Sequence, residues 1–149
     1  MTCMRTLSGK EKKAMGERFP ELGLDKRSNL QYEEAYFLDG ECILLEDDGD
    51  LVPALTSKRI DYSRYPEVVI DMPAVEFMVR GADLLRPGIV SYDTFAKDMI
   101  IRVSDERNRV VLAFMRAIID SSDLDGMQKG RVARSIHHVG DAWWNQTKS

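Results

Sequence analysis

The spacing of apolar residues changes along the chain, and each spacing predicts a different kind of element. Near the start, Ala14, Met15 and Phe19 fall on one face of a helix, as a repeat of 3.6 residues requires. Between Leu30 and Leu38 the apolar residues recur at every second position, which is the pattern of a strand with one buried face. After residue 67, short apolar runs alternate with turn residues, as in a small β-barrel or sandwich. The predicted fold class is α+β, with a helix and a small antiparallel sheet followed by a mostly antiparallel β-barrel.

The first helix carries its own start and stop signals. Ser8 and Glu11 have the spacing of a capping box, in which the hydroxyl and the carboxylate satisfy free amide groups at a helix N-terminus. Pro20 ends the helix, because the residue before a proline disfavours the helical conformation. The polar face of this helix is basic and carries Lys10, Lys12, Lys13 and Arg18. A solvated charged face is the favoured interpretation of these cations, and a binding face is the alternative.

Turn signals divide the next segment into a meander. Asp39-Gly40 is a strong hairpin signal, and it separates a strand over residues 30–38 from a return strand over residues 41–46. A second turn at residues 47–50 leads into a third strand at residues 51–54. This acidic turn lacks the alternating ligands and the closing glutamate of an EF-hand, so we expect it to be a solvated turn. A short helix is predicted at residues 55–60, and Tyr65-Pro66 marks the boundary between the two halves.

The second half alternates strands and turns after a single early helix. The predicted elements are a strand at residues 68–71, a helix at 73–80, and strands at 89–92, 99–103, 109–119 and 131–137. The connection over residues 121–129 is predicted to contain a short turn of helix. In the last strand Val132 and Ile136 are expected to point inward. Lys129, Arg131 and His137 are then expected to lie on the side that faces solvent.

The loop after the predicted helix at residues 73–80 is the strongest local candidate for ligand binding. Gly81 suits the left-handed position that ends many helices, and Pro87-Gly88 suits a type II turn. The loop is expected to offer backbone amide groups, with Arg80 and Arg86 beside them and little side-chain bulk. Such a loop is a plausible cradle for a phosphate or a nucleotide. The same pattern is also an ordinary way to end a helix, and the motif by itself favours that interpretation.

Charge is distributed unevenly along the 149 residues, whose formal net charge is −4. Residues 1–27 carry a net charge of +3, residues 28–67 carry −7, and residues 68–149 carry zero. The overall charge argues against a general nucleic-acid binder, so RNA binding by the second half would need a local basic face. We expect such binding to be modest in affinity and sensitive to salt. The length fits one domain or two very small ones.

The chain lacks the signals of secretion, membrane insertion and catalysis. The basic N-terminus has no apolar core, and the longest apolar run, residues 110–115, is far short of a membrane span. Cys3 and Cys42 have no metal-ligand spacing, which favours a reducing, cytoplasmic location. Adjacent strand residues point to opposite faces, so His137 and His138 are poorly placed to share a ligand. We therefore predict no catalytic residues, no metal and no cofactor, and hence no enzyme.

Two stretches of the sequence resemble a known family. The run GADLLRPGI after a short helix, and the later run GRVARSIHHVGDAWW, resemble the PUA domain, named after pseudouridine synthase and archaeosine transglycosylase. The preceding run DGECILLEDDGDLVPALTSKRIDYSRYP resembles the pre-PUA domain of the malignant-T-cell-amplified-sequence family and its short archaeal relatives. The resemblance implies a pre-PUA domain at residues 1–66 and a PUA pseudo-barrel at residues 67–149.

The resemblance also implies an RNA-binding groove. Carried over to this sequence, the groove includes Gly81, Ala82, Asp83, Leu85, Arg86, Pro87 and Gly88, with Arg80 beside the loop and with Arg131 and His137 on the last strands. Trp143 and Trp144 are suited to stack on a base, although core or lid positions are commoner for such residues. The chain departs from the family at Lys97-Asp98, where Gly-Asp is usual. It also departs at Phe114-Met115, whose bulk would fill part of the groove if either side chain pointed into it.

The function implied by the resemblance is RNA binding in translation. The expected partners are a tRNA acceptor end or ribosomal RNA, the small ribosomal subunit, and a protein similar to density-regulated protein. Neither DNA nor a membrane is expected as a partner. One alternative is a protein–protein adaptor on the ribosome, whose acidic first half would face a basic partner. A second alternative is an accessory protein that brings RNA to a separate modification enzyme.

Overall fold

The computed structural model describes residues 4–147, and the side chains of residues 4–145. Cys3, one of the two cysteines considered above, lies outside this range. The chain divides into two compact units between Asp61 and Tyr62. The assignment of residues 1–66 and 67–149 to separate pre-PUA and PUA domains stays a prediction.

The first unit opens with a short strand and the predicted helix. Strand β1 is Arg5–Thr6, and helix α1 is Gly9–Arg18. The capping box is present as predicted, since the Glu11 amide donates to Ser8 Oγ and the Ser8 amide donates to Glu11 Oε1. The helix ends just before Pro20, also as predicted, and a 3-10 turn follows at Pro20–Leu22.

A five-stranded antiparallel sheet completes the first unit. Its strands are β1, β2 (Leu30–Tyr32), β3 (Ala35–Leu38), β4 (Glu41–Asp47) and β5 (Asp50–Pro53), in that spatial order. The hairpin at Asp39-Gly40 is confirmed, and both residues have a positive φ, as a tight two-residue turn requires. The single strand predicted over residues 30–38 is wrong, because the chain reverses at Glu34, where φ is 61°. Leu30 consequently pairs with Leu38 instead of sharing a strand with it.

The short helix predicted at residues 55–60 is also absent. That segment is a series of turns, the first of which is closed by the Ser57 amide donating to the Ala54 carbonyl at 3.0 Å. A helix of about six residues gains few hydrogen bonds for the cost of starting it, so tertiary packing decides its conformation. Here Ser57 and Ile60 are both buried, which the turns achieve without a helix.

The second unit is a curled six-stranded sheet. Its elements are β6 (Glu67–Ile70), α2 (Met72–Met78), β7 (Leu84–Leu85), β8 (Ile89–Tyr92), β9 (Ile100–Asp105), β10 (Val111–Ala117), β11 (Arg131–His138) and α3 (Ala142–Thr147). Two 3-10 turns lie at Tyr62–Arg64 and Ser121–Leu124, the latter within the connection where a turn of helix was predicted. The spatial order is β7-β11-β10-β9-β6-β8, antiparallel throughout except for the parallel pair β6 and β9.

The two edges of this sheet are neighbours in the sequence. Only Arg86, Pro87 and Gly88 separate β7 at one edge from β8 at the other. The sheet must therefore curl until its edges come within one turn of each other, which makes it a pseudo-barrel. The buried side chains inside it include Val68, Ile101, Val103, Met115 and Val132. The mixed α+β class and the mainly antiparallel barrel agree with the prediction. No helix in the described part of the chain is long and apolar enough to cross a membrane.

Candidate functional site

The end of α2 has the geometry predicted for it. Gly81 lies at a φ of 90°, and the amides of Gly81 and Ala82 donate to the carbonyls of Met78 and Phe77. A side chain at this position would be strained by the backbone conformation alone. It would also place a Cβ atom 3.2 Å from His138 Nε2, so that the His138 ring would have to shift by a few tenths of an ångström.

The predicted type II turn at Pro87-Gly88 is also present. The Ile89 amide donates to the Arg86 carbonyl at 3.3 Å, and Gly88 has a φ of 100°. The turn packs on the start of α2, where the Asp71 amide donates to the Gly88 carbonyl at 2.8 Å. A Cβ atom at Gly88 would lie 2.8 Å from the Cβ of Ala74, closer than real contacts allow. The turn therefore holds the loop against the helix.

Between these two turns, the predicted loop contains a strand that the sequence did not indicate. Leu84 and Leu85 form β7, which pairs with Ala133 and Arg131 of β11. A two-residue strand is too short to show a repeat, so only the apolar pair itself signals it. Because of this pairing, the middle of the loop is part of the barrel wall.

Several polar side chains predicted to bind RNA are engaged in holding the loop. The Arg86 Nε donates to the carbonyls of Leu124 and Met127, at 3.1 Å in each case. The Asp83 carboxylate accepts from the Arg131 guanidinium at 2.6 Å and from the Ser135 amide at 2.9 Å. Arg86 therefore anchors the connection before β11, and Arg131 is partly neutralised by Asp83.

The groups that remain open to a ligand lie on the α2 side of the loop. Arg80 is exposed and makes no ion pair with any other described residue. Phe77, one turn earlier, exposes 63% of its surface. Of the loop amides, those of Gly81, Ala82 and Arg86 are hydrogen-bonded within the chain, and those of Asp83 and Gly88 have no acceptor among the described residues. Outside β7, the amide-lined cradle expected from the sequence is thus reduced to the amides of Asp83 and Gly88.

Phe77, Asp83 and Gly88 line a cleft of about 330 Å³ between α2 and the loop, whereas Arg80 is not part of its lining. Its wall is mostly apolar and is formed by side chains that include Phe77, Met78, Leu85 and Pro87, and it contains Asp83 and Gly88, whose amides are open. The sequence-based site contained Leu85, Pro87 and Gly88, and it missed Phe77. An apolar side chain outside the inward stripe of the helix was the signal that could have identified Phe77.

His137 was expected to face solvent, and this expectation is wrong. Its side chain is only 1% exposed, and its Nδ1 lies 2.8 Å from Asp141 Oδ2. A register shift is the cause, because Phe114 pairs with His137 while the next residue of β10, Met115, pairs with Ser135. Ile136 is the extra residue of this bulge, so the alternation of side chains reverses just before His137.

Burial sets the ionisation of this histidine and its partner. Burial lowers the pKa of His137, and the nearby Asp141 carboxylate offsets only part of that effect. Burial would raise the pKa of Asp141, but the amides of Trp144 and His138 and the His137 ring outweigh it and hold that pKa below its usual value. Asp141 thereby starts α3, since its Oδ1 accepts from the Trp144 amide at 2.8 Å. The pair is a structural element of the barrel end.

The remaining residues considered from the sequence lie outside the cleft. Phe114 and Met115 are fully buried and do not line it, with Phe114 packed edge-on against Tyr62 and Tyr65. Trp143 and Trp144 are half-buried at the start of α3. Burial raises the pKa of the Cys42 thiol to about 12, so that this cysteine is a protonated core residue at neutral pH.

Comparisons with known proteins match most of this chain. The family model of the PUA domain matches residues 66–139. Translation machinery-associated protein 20 of Eremothecium gossypii is 27% identical over 153 residues, which cover 90% of this chain and 84% of that protein. Malignant T-cell-amplified sequence 2 of mouse is 24% identical over 120 residues, covering 77% of this chain and 66% of that protein.

A solved structure extends the likeness to nearly the whole chain. It is the structure of a conserved PUA domain protein from Thermoplasma acidophilum, which superimposes with a TM-score of 0.75 at 27% sequence identity. The match covers 97% of this chain and 99% of that one. The resemblance found in the sequence is therefore confirmed, and this chain belongs to the PUA domain family, with its PUA domain at residues 66–139.

Proposed function

We propose that this protein binds RNA of the translation apparatus, in the cytoplasm, by taking an unpaired RNA end into the cleft between α2 and the 81–88 loop. PUA domains are RNA-binding modules, and the similar protein of Eremothecium gossypii is named for its association with the translation machinery. The observation that carries the proposal is the set of open groups at this cleft. An exposed aromatic ring and two amides without an acceptor among the described residues border one apolar surface. A cation with no ion-pair partner among those residues, Arg80, follows the ring by three positions in the sequence.

Each of these groups has a distinct task in RNA recognition. The Phe77 ring offers a face on which a nucleobase can stack, and stacking is available only to bases that are not paired in a helix. The Asp83 and Gly88 amides offer donors to a base edge or to a phosphate oxygen. Arg80 adds the charge that a phosphate requires. This combination favours a single-stranded end, such as the acceptor end of a tRNA, over double-stranded RNA.

Arg86 and His137 stay outside the proposed contact. Arg86 holds two main-chain carbonyls, so replacing it would disturb the loop as well as any RNA contact. His137 is buried beside Asp141. The informative substitutions are those at Phe77 and Arg80, whose side chains are exposed.

The test is a gel-shift titration against whole tRNA, the same tRNA without its CCA end, and an unrelated hairpin, each at two salt concentrations. We expect binding that depends on the CCA end and weakens at higher salt. Phe77→Ala should weaken binding by about tenfold, because stacking on an aromatic side chain contributes about 1–3 kcal/mol per base. Arg80→Glu should weaken it by a similar factor and also lower its salt dependence.

Lys97→Glu is the matched control for Arg80→Glu. It makes the same change in net charge at an exposed residue in the β8–β9 connection, which does not contribute to the lining of the cleft. We expect tRNA binding close to that of the unaltered protein. Equal losses in both variants would show a general charge effect, and unchanged binding in Phe77→Ala would contradict the cleft assignment. Preference for a structured RNA without a free end would favour the accessory role beside a modification enzyme.

A protein-adaptor role is the second candidate, and one observation favours it. The antiparallel order of the first unit brings the β2–β3 turn and the β4–β5 turn to the same end of its sheet. The first turn consists of Glu33 and Glu34, and the second contains Asp48 next to Asp47, the last residue of β4. An acidic end of this kind suits a basic partner, such as a ribosomal protein or a partner similar to density-regulated protein. Co-purification of a basic protein that survives nuclease treatment would support this role.

A further inference from the structure

A second cleft lies entirely within the first unit, on the polar face of α1. It encloses about 580 Å³ between the helix and the segment that follows the 3-10 turn. The residues of interest in its lining are Gly9, Lys12, Lys13, Gly16, Gly23 and Lys26. Its lining contains no aromatic side chain. From the sequence, a solvated face was the favoured interpretation of these cations and a binding face was the alternative; in the structure this face forms one wall of a groove.

The lysines of this cleft form no ion pair with a carboxylate of the described residues. The Lys12 ammonium donates to the Lys26 carbonyl at 3.1 Å, which ties the loop to the helix. Lys13 and Lys26 are exposed and form no ion pair with any described residue. Two carboxylates also line the cleft, and one of them, Asp25, accepts from the Arg27 amide and the Ser28 hydroxyl. The other is Glu17, an exposed residue of α1.

No packing contact requires the glycine at position 16, in the middle of α1. Gly16 is an interior helix residue, where glycine costs about 1 kcal/mol relative to alanine. A Cβ atom built there would lie 3.8 Å from the Leu24 Cβ, which is an ordinary van der Waals contact. Alanine would therefore fit, and its methyl group would occupy space in the cleft. The glycine keeps the helix backbone accessible from the groove at a cost to helix stability.

We propose that this cleft binds the phosphodiester backbone of RNA, with Lys13 and Lys26 each contacting a phosphate. The glycines at positions 9 and 16 are seven residues apart, so the groove runs about 10 Å along the helix. That length suits successive phosphates of one strand better than a single small anion. Because no aromatic ring lines the groove, bases cannot stack in it, and binding there does not depend on sequence. This site is additional to the cleft between α2 and the 81–88 loop, called the PUA cleft below, and it requires none of the residues of that cleft.

The test is a fluorescence-anisotropy titration of the full chain with a labelled oligouridine of about 12 nucleotides, at about 50 and about 200 mM salt. The test variant is Lys13→Glu with Lys26→Glu. We expect about tenfold weaker binding at the lower salt. We also expect the slope of log K against log salt to fall by about 1.4, since each phosphate contact on a single strand contributes about 0.7.

The matched control is Lys58→Glu with Lys97→Glu, which changes the net charge equally at two exposed lysines outside the cleft. For this control variant, the slope of log K against log salt should stay near that of the unaltered protein. Equal changes in the two double variants would overturn the proposal, as would the absence of measurable binding by the unaltered protein at about 50 mM salt. Circular dichroism of each variant checks that the fold is retained, and Lys13→Gln with Lys26→Gln serves as a milder pair if the glutamates disturb it.

Two further variants distinguish binding at this cleft from binding at the PUA cleft, and a change in binding from a change in stability. Arg80→Glu tests the PUA cleft in the same assay. The two proposals can therefore be tested independently, since each variant lowers oligouridine binding only if its own site contributes. Gly16→Ala keeps every charge and adds one methyl group to the groove. We expect it to raise the melting temperature and to weaken oligouridine binding at least twofold. A stabilised variant with unchanged binding would overturn the role of the groove.

Discussion

The Asp83 carboxylate joins the loop after α2 to β11 through two bonds at once. One oxygen accepts from the Arg131 guanidinium at 2.6 Å, and the other accepts from the Ser135 amide at 2.9 Å. The residues involved are about fifty positions apart in the sequence, so the loop is held by contacts that no local pattern shows. The charge of Asp83 is unfavourable for a phosphate ligand. Its role in holding the loop to β11 explains why an acidic residue lies at the proposed RNA cleft.

Asp83→Ala should destabilise the second unit more than Arg131→Ala does. The alanine at position 83 leaves the Ser135 amide without its acceptor, and an unsatisfied main-chain donor costs about 1–3 kcal/mol. Loss of the arginine removes an ion pair whose side chains are 56% and 32% exposed. Solvent screening limits the contribution of such a pair to stability to less than about 1 kcal/mol. Urea unfolding followed by tryptophan fluorescence measures the free energy of unfolding of both variants. Equal free energies of unfolding for the two variants would show that the Ser135 bond contributes little.

Gly88→Ala should destabilise the protein by more than about 2 kcal/mol. The substitution forces alanine to a φ of 100° and places its Cβ 2.8 Å from that of Ala74. Gly40→Ala is the control, since its φ is 82° and a Cβ atom placed there would have no neighbour within 4 Å, so only the backbone strain of about 1 kcal/mol applies. The difference between the two free energies measures the clash with α2. Equal values would mean that the turn can move away from the helix.

Elements with a local cause were predictable from the sequence. The capping box at Ser8 and Glu11, the hairpin at Asp39-Gly40 and the turn at Pro87-Gly88 each depend on a few neighbouring residues. Their chemistry limits the backbone to one or two conformations, so a short motif is sufficient. The two turns that bound the candidate loop were predicted correctly for this reason.

Elements set by tertiary pairing were not predictable in the same way. The reversal at Glu34 uses a positive φ at a residue that rarely adopts it, and β7 is only two residues long. The bulge at Ile136 reverses the faces of β11 without any glycine or proline to signal it. Sequence spacing therefore placed His137 on the wrong face. It also left unseen that Arg86 and Arg131 are engaged within the barrel.

The buried His137 makes the stability of the protein depend on pH. Its pKa is lowered in the folded state, mainly by burial, so the unfolded chain binds more protons in mildly acidic solution. The free energy of unfolding should therefore fall as the pH drops below the unfolded value of about 6.5, and stop falling below the folded value. Asp141, whose pKa is also lowered, adds a loss only at lower pH, below about 4. Glu11 and Glu67, whose pKa values are also lowered, begin to contribute near about pH 5. The loss of stability between about pH 7 and about pH 5.5 therefore reports mainly on the histidine.

His137→Asn should flatten that pH dependence. The amide nitrogen of asparagine occupies nearly the place of the ring Nδ1 and can still donate to Asp141, but it does not titrate. In the unaltered protein we expect the free energy of unfolding to change by up to about 1.4 kcal/mol per pH unit within this range. Urea unfolding at several pH values measures the slope for both proteins. His138→Asn controls for the neighbouring histidine, and a slope that disappears in this variant instead would show that His138, and not His137, is the group that titrates.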